Sequence, residues 1–234
     1  MPRVNEFGQP IGPPLADWLP PPRPHAAPAV GRYCRLEPID TMVHAEELFD
    51  AIQDGPASLW TYLPFPHPAT IEQLATLLDF INDPSNAQMH AIISEERTVG
   101  FAAYLDIDET HGVVEIGAIM FAPALQRTAA ATEAIYMLID HAVSVGYRRV
   151  GWKCDELHAT SRRAADRFGF TFEGTFRKAT HYQGRSRDTA WYSIIDDDWG
   201  PLRDAFQRWL APDNFDAQGT QITTLQEMRT AGIG

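Results

Sequence analysis

Two side chains and one loop carry the chemistry that this sequence offers. Glu115 lies in the apolar run GVVEIGAIMF. Strand alternation puts Val113, Glu115, Gly117, Ile119 and Phe121 on one face, and the bare Gly117 opens space beside the carboxylate. A carboxylate bordered by apolar groups has a raised pKa and accepts a proton near neutral pH. The competing reading is a solvated or salt-bridged carboxylate on the strand. Ser161 shares one face of a short helix with Ala164, Ala165 and Phe168, at helical spacing. That apolar face turns the hydroxyl inward, where it needs a partner; a capping or first-turn serine is the other reading. Residues Gln126 to Thr132 join a strand to a helix. Free N–H groups and the helix dipole favour phosphate there, with Arg127 adding charge and Thr128 and Thr132 adding hydroxyls. An ordinary strand-to-helix turn has the same spacing.

The stretch from Glu115 to Glu133, with the later SRRAADRFGFTFEGTFRK, resembles the GNAT superfamily of N-acetyltransferases. Within it, the RimJ/RimL-like branch of ribosomal-protein N-terminal acetyltransferases is the most similar. The resemblance spans roughly Gly31 to Leu210. In that family a Gln/Arg-x-x-Gly-x-Gly/Ala loop holds the pyrophosphate of acetyl-CoA. Here it reads Gln126-Arg127-Thr128-Ala129-Ala130-Ala131, followed by Thr132-Glu133-Ala134. The resemblance implies direct transfer of an acetyl group from acetyl-CoA to a primary amine, a protein N-terminus or a small amine, through a tetrahedral intermediate. It implies Glu115 as the base, directly or through a water, and Ser161 as the acid or as the group that hydrogen-bonds the thiolate. A backbone N–H near Ile119 to Phe121 would meet the oxyanion. The implied cofactor contacts are Ile119, Phe121, Gln126 to Thr132, His158 and Ser161.

Two positions depart from the family pattern. Ala129 replaces the usual first glycine, so it must be right-handed or carry about 1 kcal/mol of strain or more. His158 replaces an asparagine; it keeps the hydrogen bond, shuttles a proton, or only starts a helix. Both departures keep an alternative open, a catalytically impaired acyl-CoA-binding or sensor protein.

On the acceptor side, Trp60, Tyr62 and Phe65 lie in a loop that lines the pocket in similar enzymes. Aromatics there hold an amine by cation–π contact or pack the loop onto the core. Tyr182 and Trp191 face the pocket or pack within strands. Arg185 and Arg187 read as solvated residues of a hairpin turn. Asp196, Asp197 and Asp198 read as a solvated turn, with Asp198 capping the last helix.

The elements that must position these groups follow from periodicity. GRYCRLEPI is a strand; Asp40 and Thr41 cap a helix over His44 to Ile52, and Thr70 caps another over Ile71 to Ile81. The strands MHAIIS, TVGFAAYLDI, GVVEIGAIMF and RRVGWKC follow, the last two separated by a helix over Ala131 to Val145 with Gly146 as its C′ residue. A short helix over Ala159 to Phe168 ends at Gly169. The strands FTFEGTFRK and RDTAWYSII then lead to the helix WGPLRDAFQRWL, with Pro201 in its first turn. The order β-α-α-β-β-β-α-β-α-β-β predicts an α/β (α+β) domain with helices on both faces of the sheet. The resemblance makes that a GNAT fold with a mixed, mostly antiparallel twisted sheet of about seven strands. The expected units are a proline-rich extended arm over 1–30, an acetyltransferase domain over 31–211 and a polar, poorly ordered tail over 212–234. Leu15, Trp18 and Leu19 would pin the arm to the domain.

Composition bounds the rest. At 234 residues, 44% hydrophobic and 21% charged, the chain can bury a core without disulfides or metals. Cys34 and Cys154 fit buried free thiols, and the eight histidines show no ligand spacing, so no metal is expected. The N-terminus has no signal-peptide core and no run reaches membrane-span length, which suggests a cytoplasmic protein. A formal charge of −12 argues against nucleic-acid binding and suits a cationic amine. A homodimer is an open option for assembly. G-x-S-x-G and G-x-x-x-x-G-K-[ST] motifs are absent, which removes support for a hydrolase or a P-loop protein.

Overall fold

The computed structural model describes residues 3–15, 17–24, 28–85 and 87–231. Parts of the arm, at 1–2, 16 and 25–27, lie outside them. The order is β1 (Arg3–Val4), β2 (Pro10–Ile11), β3 (Ala29–Val30), β4 (Arg35–Pro38), α1 (Thr41–Gln53), α2 (Ile71–Ile81), β5 (Gln88–Ser94), β6 (Arg97–Asp108), β7 (Val113–Phe121), α3 (Ala129–Ser144), β8 (Arg149–Asp155), α4 (Ala159–Phe168), β9 (Thr171–Tyr182), β10 (Arg185–Ile195), α5 (Asp196–Trp209) and α6 (Leu225–Thr230).

The main sheet has eight strands in the order β3-β4-β5-β6-β7-β8-β10-β9. The extra strand is β3, two residues from the end of the arm that pair with β4. Neighbours are antiparallel except β7 and β8, which run parallel because α3 carries the chain back across the sheet. One face is closed by α1 and α2 through Leu48, Ile52, Leu74 and Leu78. The other is closed by α3, α4 and α5 through Ile135, Leu138, Phe168 and Phe206. This layering is the α/β arrangement that the alternation of periods requires.

Local differences have local causes. Helix α3 starts two residues earlier than its apolar stripe indicated, because Thr128 accepts a hydrogen bond from the Ala131 N–H and caps it. Helix α5 takes in all three aspartates as its first turn, with no side-chain cap, and Pro201 falls inside it. Asp198 is therefore not the cap: β10 runs straight into the helix, and the three carboxylates lie at the positive end of its dipole. The expected loose tail past Pro212 carries structure over its described residues, 213–231. Thr224 and Glu227 form a capping box for α6, and Leu225 is fully buried. In the arm, Trp18 packs near Gly112 under the Arg148 guanidinium, and Pro21 lies beside Gly146; Leu15 and Leu19 remain exposed.

The arm meets the domain at a buried carboxylate. Glu133 on α3 accepts backbone hydrogen bonds from Arg32, Tyr33 and Cys34 at 2.8, 2.6 and 2.9 Å. Three donors satisfy a charge that would otherwise be costly to bury. Cys34 and Cys154 are both buried free thiols.

A bulge corrects the simple alternation of β7. Between the pairs Ala103↔Gly117 and Phe101↔Met120, β7 has one residue more than β6, and Ala118 has φ 45°. An inserted residue exchanges the faces beyond it. Ile119 and Phe121 accordingly pack with the α3-side core, whereas Ala118 and Met120 join the α1/α2 side. Glu115 does not share a face with Ile119 and Phe121.

Candidate active site

The site is built where the parallel pair comes apart. Strands β7 and β8 are paired only through Val113↔Arg149, Val114↔Val150 and Glu115↔Gly151. Beyond that point β8 continues against β10 alone, through Trp152, Lys153, Cys154 and Asp155. The strands therefore fork at Glu115, leaving backbone groups of both unpaired along the cleft.

Glu115 stands at the vertex of this fork, with 9% of its surface exposed. The Lys153 ammonium lies 2.8 Å from its Oε2 and also contacts Asp106. Its Oε1 lies beside Gly117, where a Cβ would come within 2.9 Å of that oxygen. Burial pushes the carboxyl up to about 7, Lys153 and Arg187 oppose the rise, and Asp106 adds to it. A carboxyl in that range exchanges a proton near neutrality.

Ser161, in the first turn of α4, is tied to β8, the other arm of the fork. Its Oγ accepts a 3.0 Å hydrogen bond from the Trp152 indole N–H, and its own proton can be donated, with the Cys154 sulfur as one acceptor within reach. His158 takes the N-cap position of α4 without a side-chain cap bond. Its ring stacks on Tyr62 at 4.4 Å, and burial lowers its pKa, against the pull of Asp155. Asp155 is buried, accepting from the Tyr182 hydroxyl at 2.7 Å and the Leu157 N–H at 2.8 Å.

The start of α3 forms the third part. Arg127 takes the left-handed turn at φ 62°, and its side chain is exposed. Ala129 is the first residue of the helix and right-handed, so it carries no left-handed strain. With Thr128 occupying the Ala131 N–H, the N–H groups of Ala129 and Ala130 are the donors at the helix end. These groups and Arg127 fit a pyrophosphate. Two side chains in the expected cradle turn elsewhere. Gln126 donates back to the Phe121 carbonyl at 2.9 Å, and the buried Thr132 hydroxyl accepts from Arg167 at 3.0 Å.

The aromatic loop divides. Trp60 is buried in the α1/α2 core, so it packs rather than faces an acceptor. Tyr62 reaches His158, and Phe65 rests edge-on against Phe80 at 6.2 Å. The loop is held from the β9–β10 turn. Gln183 Nε2 donates to the carbonyls of Trp60, Leu63 and Phe65 at 3.2, 2.8 and 3.1 Å, and Arg185 donates to that of Thr61 at 2.6 Å. Arg185 opens β10 beside the turn and stays exposed as expected. Arg187 does not: it is half-buried, its guanidinium 5.9 Å from the Tyr182 ring centre.

Sequence reasoning missed Lys153, Asp106, Asp155 and Arg187 as site residues. A faint signal existed for Lys153, a cation set between Trp152 and Cys154 and two residues past Gly151. None existed for Asp106, whose placement depends on a bulge.

Comparison with known proteins agrees with this architecture. A family model described as an acetyltransferase (GNAT) domain matches residues 34–171. The crystal structure of a GCN5-related N-acetyltransferase from Brucella melitensis is 41% identical, with a TM-score of 0.89 over 92% of this chain and 100% of that one. A probable acetyltransferase of the GNAT family from Chromobacterium violaceum is 36% identical, with a TM-score of 0.78 over 82% of this chain and 97% of that one. RimL, a ribosomal alpha-N-protein acetyltransferase solved with coenzyme A, is 21% identical, with a TM-score of 0.63 over 73% of this chain and 98% of that one, and shares the fold. No curated protein matches. The chain belongs to the GNAT acetyltransferase family. Among the described residues no helix is long and apolar enough to cross a membrane, and no cluster of side chains could hold a metal ion.

Proposed function

We propose that this protein is an acetyl-CoA-dependent N-acetyltransferase that acetylates a primary amine, a protein N-terminus or a small amine. The observation that carries the reading is Glu115 at the vertex of the β7–β8 fork, buried and with its carboxyl pushed up to about 7. The N–H groups of Ala129 and Ala130, with Arg127, would hold the pyrophosphate. The bound thioester supplies the acetyl group. Glu115 takes a proton from the acceptor ammonium, at Oε1 beside Gly117, and the neutral amine then attacks the thioester carbonyl. The unpaired backbone of β7 past Glu115 would meet the oxyanion of the tetrahedral intermediate. Ser161 would hydrogen-bond the departing thiolate. Support for acetyl-CoA as donor comes from relatives of the same fold solved with coenzyme A or acetyl-CoA.

A non-catalytic acyl-CoA-binding role drew on Ala129 and His158. Ala129 is unstrained, which takes away one of its two motives.

Calorimetric titration with acetyl-CoA, followed by a panel of amines scored by thiol release, tests the proposal. Micromolar binding and turnover are expected. Glu115→Gln should lower kcat/KM by about 100-fold or more with acetyl-CoA affinity unchanged. Unaltered rates across roughly pH 6 to 9 would remove Glu115 as the base. Binding without turnover of any amine would favour the sensor role.

A further inference from the structure

Lys153 is surrounded from three strands. Glu115 Oε2 on β7 lies 2.8 Å from its ammonium, and Asp106 on β6 contacts it as well. Trp191 on β10, directly opposite Lys153 in the sheet, places its ring centre 4.2 Å away. The aim of Asp106 is itself unusual. β6 has one residue too many between the pairs Leu105↔Glu115 and Asp108↔Val113, and Asp106 takes φ 46° there. Left-handed backbone at an aspartate costs energy unless its surroundings fix it. Here the bulge turns the Asp106 carboxylate onto Lys153.

We infer that Lys153 is a positioning residue: clasped by Asp106 and Trp191, its ammonium holds Glu115 Oε2 and leaves Oε1 facing the fork as the proton-accepting atom. This rests on the reading of Glu115 as the base. A surface ion pair needs one partner and tolerates many geometries; this ammonium has two carboxylates and an aromatic face. The charged groups that face Glu115 are Lys153 from β8, Asp106 from β6 and Arg187 from β10. Two of them, Lys153 first, oppose the effect of burial, and Asp106 reinforces it. Without Lys153, Arg187 alone would oppose burial and Asp106 together. Glu115 would stay protonated through neutral pH, and a protonated carboxyl accepts no proton.

Lys153→Met keeps the length of the stem and removes the charge. Its test is the Glu115 carboxyl titration, followed by carbon NMR on the intact protein, beside the pH profile of amine acetylation. The expected result is a Glu115 titration raised by about one pH unit or more. The rate at pH 7 should fall about fivefold or more and recover at higher pH, with acetyl-CoA KM unchanged. Lys153→Arg should restore most of both. Asp106→Asn is the control of opposite sign and should lower the Glu115 titration. The inference fails if Glu115 titrates in Lys153→Met as in the wild type, or if Asp106→Asn raises it. Should Lys153→Met not fold, the Asp106→Asn titration decides. If the carboxyl titration moves as expected while the rate profile does not follow it, Lys153 still positions Glu115 and the assignment of Glu115 as the base falls instead.

Discussion

The role proposed for Glu115 should cost stability, and the cost can be worked out. Its carboxyl titrates at 4.5 in an open chain and at about 7 in the fold. Each tenfold difference in proton affinity corresponds to about 1.4 kcal/mol, so the ionised carboxylate destabilises the folded state by roughly 3 kcal/mol. The sign follows from proton counting. Between the two values the folded chain binds the proton more tightly than the unfolded chain, so stability falls as pH rises from about 4.5 to about 7 and stays low above. Glu115→Gln has the same shape and never ionises. It should match the wild type near pH 4.5 and exceed it by up to about 3 kcal/mol at pH 8. That figure is a ceiling, since the variant also takes one partner from the Lys153 ammonium. Urea unfolding of both proteins at the two pH values is the measurement. A variant less stable than the wild type at pH 8 would refute the reasoning. It would mean that the pair with Lys153 outweighs burial and that Glu115 is an ordinary structural carboxylate. The expected combination, a variant more stable yet slower, is the trade-off found where a site holds a strained group for its chemistry.

Two further outcomes test the surrounding parts. Ala129→Gly should bind acetyl-CoA as tightly as the wild type, because the donors there are backbone N–H groups, while losing about 0.5 to 1 kcal/mol of stability from a glycine in the helix; calorimetry and thermal melting separate the two effects, and a tenfold change in affinity would show that the Ala129 methyl itself shapes the cradle. Gln183→Ala removes the donor to three carbonyls of the 60–65 loop; amide exchange in that loop should quicken and the acceptor KM rise about tenfold with acetyl-CoA affinity unchanged, whereas unchanged exchange would mean that Arg185 and the Tyr62–His158 stack suffice to hold it.

Much of the frame was legible in the sequence. The apolar stripe of α3, the alternation of strands and helices and the glycine at 146 place the parallel β7–α3–β8 unit correctly, because each signal is local. The eighth strand was missed for the opposite reason. Ala29 and Val30 form a strand only because β4 lies beside them, and two residues have no periodicity to read. Glu133 is a similar case: its three backbone partners lie about a hundred positions earlier in the chain. The expected role of Trp60 gave way to packing, since an aromatic beside Leu48 and Leu74 gains more from the core than from a solvent-facing cleft.

The candidate site was legible to the extent that it depends on single strands, and hidden where it depends on how strands shift against each other. Two bulges flank Glu115, at Asp106 on β6 and at Ala118 on β7. The first delivers a carboxylate to Lys153. The second exchanges faces, so that Glu115 and Gly117 look one way while Ile119 and Phe121 pack behind the sheet. Neither insertion leaves a glycine or proline as a marker, since both bulge residues are non-glycine and take the left-handed turn under the compulsion of their neighbours. Alternation read past position 117 therefore had to fail, and it failed at the point where the sheet stops being regular in order to open. The fork needs the same irregularity. A β7 that kept its register and its pairing with β8 to Phe121 would have a continuous sheet, a covered backbone and no cleft for Glu115 to face.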